Sequence, residues 1–196
     1  MVMVPSQMLP LGTLAPDFDL ENAVDGKRVK LSDFAGKQAL LVMFICNHCP
    51  FVIHVRDEFG RIEKDYAPKG LAIVAINSND LQMHPKDGPE HMKALVQEMG
   101  WKFPFLFDGT QDVAKAYTAA CTPDLYLFDK DRKLVYRGQL DDSRPGNDKP
   151  VNGKDMRAAI EATLAGKSVP AEQKPSAGCN IKWAAGKEPA YFQVKV

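Results

Sequence analysis

Two cysteines with two residues between them stand in "LLVMFICNHCPFVIHV", Leu40 to Val55, where an apolar run gives way to a helical pattern. A thiolate attacks disulfides and peroxides, and a second thiol one turn away can close a disulfide with it. Pro50 follows the second cysteine directly. Proline suits the first position of a helix, because its missing N–H would have had no partner there. The pattern therefore predicts a helix opening at Pro50 with Cys49 as its N-cap. Free amide groups and the positive end of the helix dipole would face that sulfur and favour the thiolate. Cys49 is thus the expected nucleophile, and Cys46, at the strand end, the expected resolving thiol. His48 between them could add positive charge or shuttle a proton. This chemistry calls for no cofactor and no bound metal; reducing equivalents would come from another thiol system, a protein or a small molecule carrying thiols or disulfides.

Other readings of the pair are weaker on chemical grounds. Lone cysteines mostly pack as small buried hydrophobes, but a C-x-x-C at the end of a buried strand, opening a helix, is more specific than that. A closed structural zinc site wants four ligands, usually as two close pairs. Here there is one close pair and scattered candidates: Cys121, Cys179, His48 and His54. A non-catalytic zinc-binding module is therefore an alternative, and a thiol peroxidase is the nearer one. In a peroxidase, Cys49 would become a sulfenic acid that condenses with Cys46.

The elements that would position these residues alternate. "FDLENAVDGKRVKLSDF" reads as a hairpin, Phe18–Leu20 with Arg28–Leu31 around an Asp25-Gly26 turn. "QALLVMFI" fits a strand buried on both faces. From Pro50 to about Tyr66, Phe51, Val55, Phe59 and Ile62 recur at helical spacing. "GLAIVAIN" is the next buried strand, followed by the polar loop "SNDLQMHPKDGPE". A helix spans Glu90 to Met99, with Met92, Leu95, Val96 and Met99 on one side and Gly100 as its stop. "FPFLFD" reads as a short strand, Gln111 to Ala119 as a short helix, Leu125–Phe128 and Leu134–Arg137 as an antiparallel pair, and Lys154 to Ala165 as the last helix.

This order predicts an α/β fold, a central mixed sheet flanked by helices, with an N-terminal hairpin and a C-terminal extension. The domain is expected over residues 1–166 and the extension over 167–196, partly docked through Trp183, Tyr191 and Phe192. In such sheets, sites lie at the carboxyl ends of the parallel strands, where Cys46 and Cys49 fall.

Charge narrows the partners. Lys plus Arg equals Asp plus Glu, 25 each in 196 residues, so no global field favours nucleic acid or an anionic membrane. The longest apolar run, Ala39 to Cys46, is too short for a membrane span. "MVMVPSQMLPLGTLAP" lacks a basic region and is broken by prolines, unlike a signal peptide. The expectation is a cytoplasmic protein, and four cysteines at this length do not make a disulfide scaffold.

Taken together, "LGTLAPDFDL", "VKLSDFAGK", "ALLVMF", the cysteine turn, "GLAIVAINSND", "FPFLFDGTQDVAKAYTAACTPDLYLFD" and "KLVYRG" resemble the thioredoxin-fold superfamily, in its peroxiredoxin-like (AhpC/TSA) and TlpA-like redoxin branches. The resemblance implies that Thr122-Pro123 carries a cis peptide bond opposite the active cysteine, leaving the Thr122 backbone to pair with an extended substrate. It also marks departures. Counted from Phe44, Cys49 stands where thioredoxins keep the attacking cysteine, and Cys46 stands where peroxiredoxins keep a Thr or Ser. Pro123 occupies the place of the peroxiredoxin arginine, for which Arg56 or Arg137 could substitute. Met43 replaces the buried acid of thioredoxins, so the resolving thiol would need His48, water or another group to take its proton. Cys121, next to Thr122-Pro123, could be a third thiol in a relay or a buried packing residue. Cys179 in "PSAGCNIKW" could resolve an oxidised Cys49 or sit on the surface.

Overall fold

The computed structural model describes residues 3–192, so the last four residues of the expected extension lie outside the described residues. A seven-stranded mixed sheet runs through the molecule, in the order β3-β2-β6-β5-β4-β8-β9. Its strands are β2 (Asp19–Asn22), β3 (Arg28–Lys30), β4 (Ala39–Phe44), β5 (Leu71–Asn77), β6 (Phe105–Phe107), β8 (Asp124–Asp129) and β9 (Leu134–Arg137). β4, β5 and β6 are mutually parallel neighbours, with α1 (Pro50–Tyr66) and α2 (Pro89–Met99) as their crossovers. Antiparallel strands close both ends, β2 and β3 on one side and β8 and β9 on the other.

The period-2 geometry of a strand sorts the central apolar run between two cores. Leu41, Met43 and Ile45 face the side covered by α1, α2 and α4 (Lys154–Leu164), against Val55, Phe59, Ile62, Met92, Leu95 and Ile160. Leu40, Val42 and Phe44 face the other side, against Phe18, Phe34, Tyr117, Tyr126 and Trp183. Among the described residues, the helices on that second face are short, α3 (Asp112–Ala116) and the single turn Leu31–Phe34, so the N-terminal segment and the C-terminal tail complete its cover. Burying a large side chain such as Trp183 contributes about 1.5–3 kcal/mol, which gives the tail a reason to dock. Its backbone is also clamped. Gln111 donates to the carbonyls of Ser78 (2.7 Å) and Lys182 (2.8 Å) and accepts from the Ala184 amide (2.8 Å).

Local details adjust several expectations. Val52, not Phe51, is the buried residue in the first turn of α1; Phe51 packs at the edge of the core. The short helix stops at Ala116 rather than Ala119, because Thr118 takes a left-handed conformation (φ 51°) that an α-helix cannot continue. α2 ends as expected, at Gly100 with φ 67°. A second sheet that the sequence did not announce joins the two ends of the chain. β1 (Met3–Pro5), β10 (Ala177–Asn180) and β7 (Cys121–Thr122) form three antiparallel strands with β10 in the middle. Among the described residues, no helix is long and apolar enough to cross a membrane.

Candidate active site

Cys46 and Cys49 hang from the end of β4. The Ile45 amide still bonds the Ile76 carbonyl (3.0 Å), after which the ladder stops and the chain turns. Asn47 pins that turn: its amide donates to Asp87 Oδ1 (3.0 Å) and its side chain to the Lys86 carbonyl (3.1 Å). Cys49 is the N-cap of α1 in extended conformation (φ −68°, ψ 121°), with Pro50 in the first turn, as the sequence predicts. Both cysteines are buried.

The sulfurs meet. Hydrogen bonding between Cys46 and Cys49 moves their acidities apart. Cys46 is pushed well above an ordinary thiol by that bond, then by burial and by the Asp87 charge. Cys49 is held well below one. Cys179 is its strongest hydrogen-bond donor and Cys46 the next; burial opposes them, and the Thr122 side chain and the Val52 amide add smaller help. The Val52 amide, in the first turn of α1, is the smallest of these causes. Cys49 Sγ lies 2.8 Å from Cys179 Sγ and 3.1 Å from the Thr122 carbonyl oxygen, to which the un-ionised thiol can donate.

Thr122-Pro123 is cis, in keeping with the resemblance. The Thr122 hydroxyl sits 3.6 Å from Cys46 Sγ, so this residue touches both sulfurs of the pair. Its backbone edge is already occupied. β10 pairs there with Cys179 opposite Thr122 and Asn180 opposite Cys121. The approach is close enough to need glycine next to Cys179. A Cβ on Gly178 would meet the Thr122 carbonyl oxygen at 2.0 Å and its carbon at 2.8 Å. Cys179 is buried, which removes the surface alternative. Cys121 is buried too, but its thiol donates to the Pro123 carbonyl (3.6 Å), and burial, followed by Asp124, pushes its acidity far down.

A second cluster lies beside Cys46. His48 Nδ1 is 2.6 Å from Asp87 Oδ2, and the His48 ring stacks on His84 at 4.4 Å. Asp87 is fully buried and also accepts from the Asn79 side chain (2.8 Å). Burial pushes its carboxyl up, but the His48 and Asn79 hydrogen bonds outweigh this and its pKa is lowered. One donor atom each from Cys46, His48 and Asp87 falls within 4.8 Å of the others, a set that could hold a metal ion. Sequence reasoning missed Asp87, reading its surroundings as a polar loop. The usable signal was position, since that loop leaves β5 at the same sheet end as the cysteines leave β4. β10 was missed as well, because Gly178 and Trp183 suggest a tight, docked turn rather than a strand.

Other candidates are held elsewhere. Arg56 bonds Glu98 (3.0 Å) and Arg137 bonds Gln173 (2.9 Å), and neither is hydrogen-bonded to Cys49 among the described residues. His54 is not in the metal-capable set; with Phe51, Pro123, Arg144 and Ala177 it lines a shallow pocket beside the cis bond.

An uncharacterized conserved protein from Geobacillus kaustophilus, of known crystal structure, is 57% identical and superposes with a TM-score of 0.93, covering 95% of this chain and 98% of that one. The thiol-disulfide oxidoreductase ResA of Bacillus thuringiensis subsp. konkukian (strain 97-27) is 26% identical over 131 residues, 66% of this chain and 69% of its own length. The peroxidoxin BcpB of Mycobacterium tuberculosis, 17% identical, shares the fold alone, with a TM-score of 0.60 over 80% of this chain and 96% of that one. The Redoxin family model matches residues 10–154. With its sheet, its cysteine turn and that match, the chain belongs to the Redoxin family and has the thioredoxin-like fold.

Proposed function

We propose that this redoxin is a thiol–disulfide oxidoreductase that exchanges disulfides with a protein or small-molecule thiol partner. The observation that carries the reading is the placement of Cys49 as the N-cap of α1, with its sulfur against the Thr122 carbonyl (3.1 Å) and Cys46 against the Thr122 hydroxyl (3.6 Å). The Cys49 thiolate attacks one sulfur of a partner disulfide, and the other leaves as a thiolate. Cys46 then gives up its proton and attacks Cys49 in the mixed disulfide. The partner departs as its second thiolate, and Cys46–Cys49 is left oxidised. His48, backed by Asp87, stands where the Cys46 proton must go, within a distance that one water or a small rotation spans. Thr122 and Pro123 flank the reacting sulfur, as a partner-positioning element would.

A peroxidase needs donors aimed at the peroxide oxygens, and Arg56 and Arg137 point their hydrogen bonds elsewhere. The zinc reading draws support from the Cys46, His48 and Asp87 set. One protocol separates the three. The reduced protein is assayed for reduction of insulin or glutathione disulfide, for consumption of hydrogen peroxide, and for bound zinc. Disulfide reduction that disappears in Cys49→Ser supports the proposal. Stoichiometric zinc with blocked thiols, or saturable peroxide turnover without disulfide reduction, defeats it.

A further inference from the structure

Cys49 has two sulfur neighbours, and only one comes from the C-x-x-C turn. The other, Cys179, arrives on β10, which runs antiparallel to β7 with Cys179 directly opposite Thr122. That backbone edge is the one on which an extended, disulfide-bearing partner would lie if Thr122 positions substrates. β10 therefore stands in the place of a partner strand, and its cysteine stands in the place of the partner's sulfur, 2.8 Å from Cys49.

The placement is held from several sides. β1 pairs with the far edge of β10, matching Met3 to Cys179. The Ile181 amide bonds the Ala120 carbonyl (3.0 Å), and the Lys182 amide bonds Asn79 (2.9 Å). Gly178 lets the strand approach Thr122 more closely than any side chain would allow. All three sulfurs are buried, at 1% exposure or less, so a partner reaches Cys49 only if something covering it moves.

We propose that Cys179 is a third redox thiol of this site, carried to Cys49 by an intrachain strand that occupies the partner's edge, so that Cys49 alternates between disulfides with Cys46 and with Cys179. This rests on the disulfide-exchange reading above. The step balances within the chain. Cys179 loses its proton and its sulfur attacks Cys49 of the Cys46–Cys49 disulfide. The Cys49–Cys179 bond forms, the Cys46–Cys49 bond breaks, and Cys46 leaves with the electron pair and takes up a proton. One disulfide exists before and one after, so no outside oxidant or reductant enters. When Cys49 is joined to a partner instead, the same attack releases the partner as a thiol.

A consequence separates this from an ordinary two-cysteine site. With Cys46 removed, a two-cysteine enzyme stays trapped on its partner, whereas here Cys179 rescues it. A thiol held in contact by a strand has a far higher effective concentration than millimolar glutathione. The test treats the full chain as wild type, Cys46→Ser and Cys46→Ser/Cys179→Ser with glutathione disulfide. Acid and N-ethylmaleimide quench the reaction, and non-reducing peptide mass spectrometry maps the bonds. The expected result is an intrachain Cys49–Cys179 disulfide in Cys46→Ser, with loss of the glutathione adduct, and a stable Cys49–glutathione adduct in the double variant. Because Cys46→Ser leaves Cys179 and β10 untouched, the answer does not depend on a Cys179 variant folding. A stable adduct in Cys46→Ser, with Cys179 recovered as the maleimide, overturns this inference and leaves the exchange reading standing. A Cys49 that stays reduced in all three proteins overturns both.

Discussion

The two thiols that flank Cys49 reach it by opposite routes. Cys46 comes from the same strand–helix turn, three residues away, and has the Thr122 hydroxyl, His48 and Asp87 around it. Cys179 comes from 130 residues further along, on a strand held by backbone pairing to β7 and β1. In both, hydrogen bonding to Cys49 is the largest cause of a raised pKa. The difference lies in what stands behind each sulfur. Cys46 has an acid–base pair to take its proton, whereas Cys179 has a rigid strand and the positive charge of Lys182 in its field. The local thiol is equipped for proton transfer and the remote one for placement.

The largest effect tests what the two sides share. Cys49→Ser removes the only sulfur that touches both routes, so disulfide reduction should fall to the uncatalysed background. Retention of more than a trace of activity in that variant would mean that Cys46 or Cys179 attacks on its own.

Next comes the proton side. Asp87→Asn keeps the shape of the buried side chain but cannot serve as a base behind His48. General acid–base assistance typically contributes about 10²–10⁴-fold. Losing the Asp87 charge also relaxes the raised Cys46 pKa, so resolution by Cys46 should slow by the lower end of that range, about 10²-fold, while the first attack by Cys49 is little changed. Stopped-flow mixing would then show the mixed disulfide accumulating, and raising the pH should restore the resolving step. Equal slowing of both steps would assign Asp87 a structural role only.

How much of this was legible in the sequence follows the same division. β4, α1, β5 and α2 are written in local periodicity, and the proline after Cys49 marks the N-cap. Hence the fold and the C-x-x-C end of the site could be read residue by residue. β10 has no such signature. "AGCN" is four residues long and carries no apolar alternation; it is a strand because β1 and β7 flank it. Asp87 was hidden for a related reason. Its meaning comes from His48, Asn79 and Asn47, and the last lies 40 positions away. Even the acidity of Cys49 was attributed to the helix end, because the stronger donor, Cys179, lies beyond the reach of any local pattern.

The ranking of those donors can be measured. Cys179→Ala deletes the strongest hydrogen bond to the Cys49 thiolate and Cys46→Ala the next. A lowered pKa means that the wild-type sulfur is already ionised near neutrality, so its alkylation rate should be flat with pH there. As the pKa rises towards that of an ordinary thiol, the rate at a fixed pH below it falls about tenfold per unit and climbs with pH. Iodoacetamide labelling followed by peptide mass spectrometry should show the steeper profile in Cys179→Ala than in Cys46→Ala. The reverse order would return the main credit to the local turn.

The smallest expected effect concerns how the remote thiol is delivered. Gly178→Ala adds one carbon, and that carbon would lie 2.0 Å from the Thr122 carbonyl oxygen and 3.3 Å from the Pro123 nitrogen. These are backbone atoms beside a packed core and have no rotamer to change, so the strand must lift. Overpacking of this kind costs about 1–3 kcal/mol, and for a chain of this size each kcal/mol lowers Tm by about 2–4 °C. A lifted β10 also draws Cys179 away from Cys49 and opens a path to it. Thermal unfolding should therefore start several degrees lower while Cys49 alkylates faster at a pH above the pKa of an ordinary thiol, where the sulfur is ionised with or without the Cys179 hydrogen bond, two changes that a merely loosened surface strand would not produce together. If Tm drops and Cys49 stays as protected as before, β10 is not what covers the nucleophile, and the route by which partners reach it must run through the 46–49 turn itself.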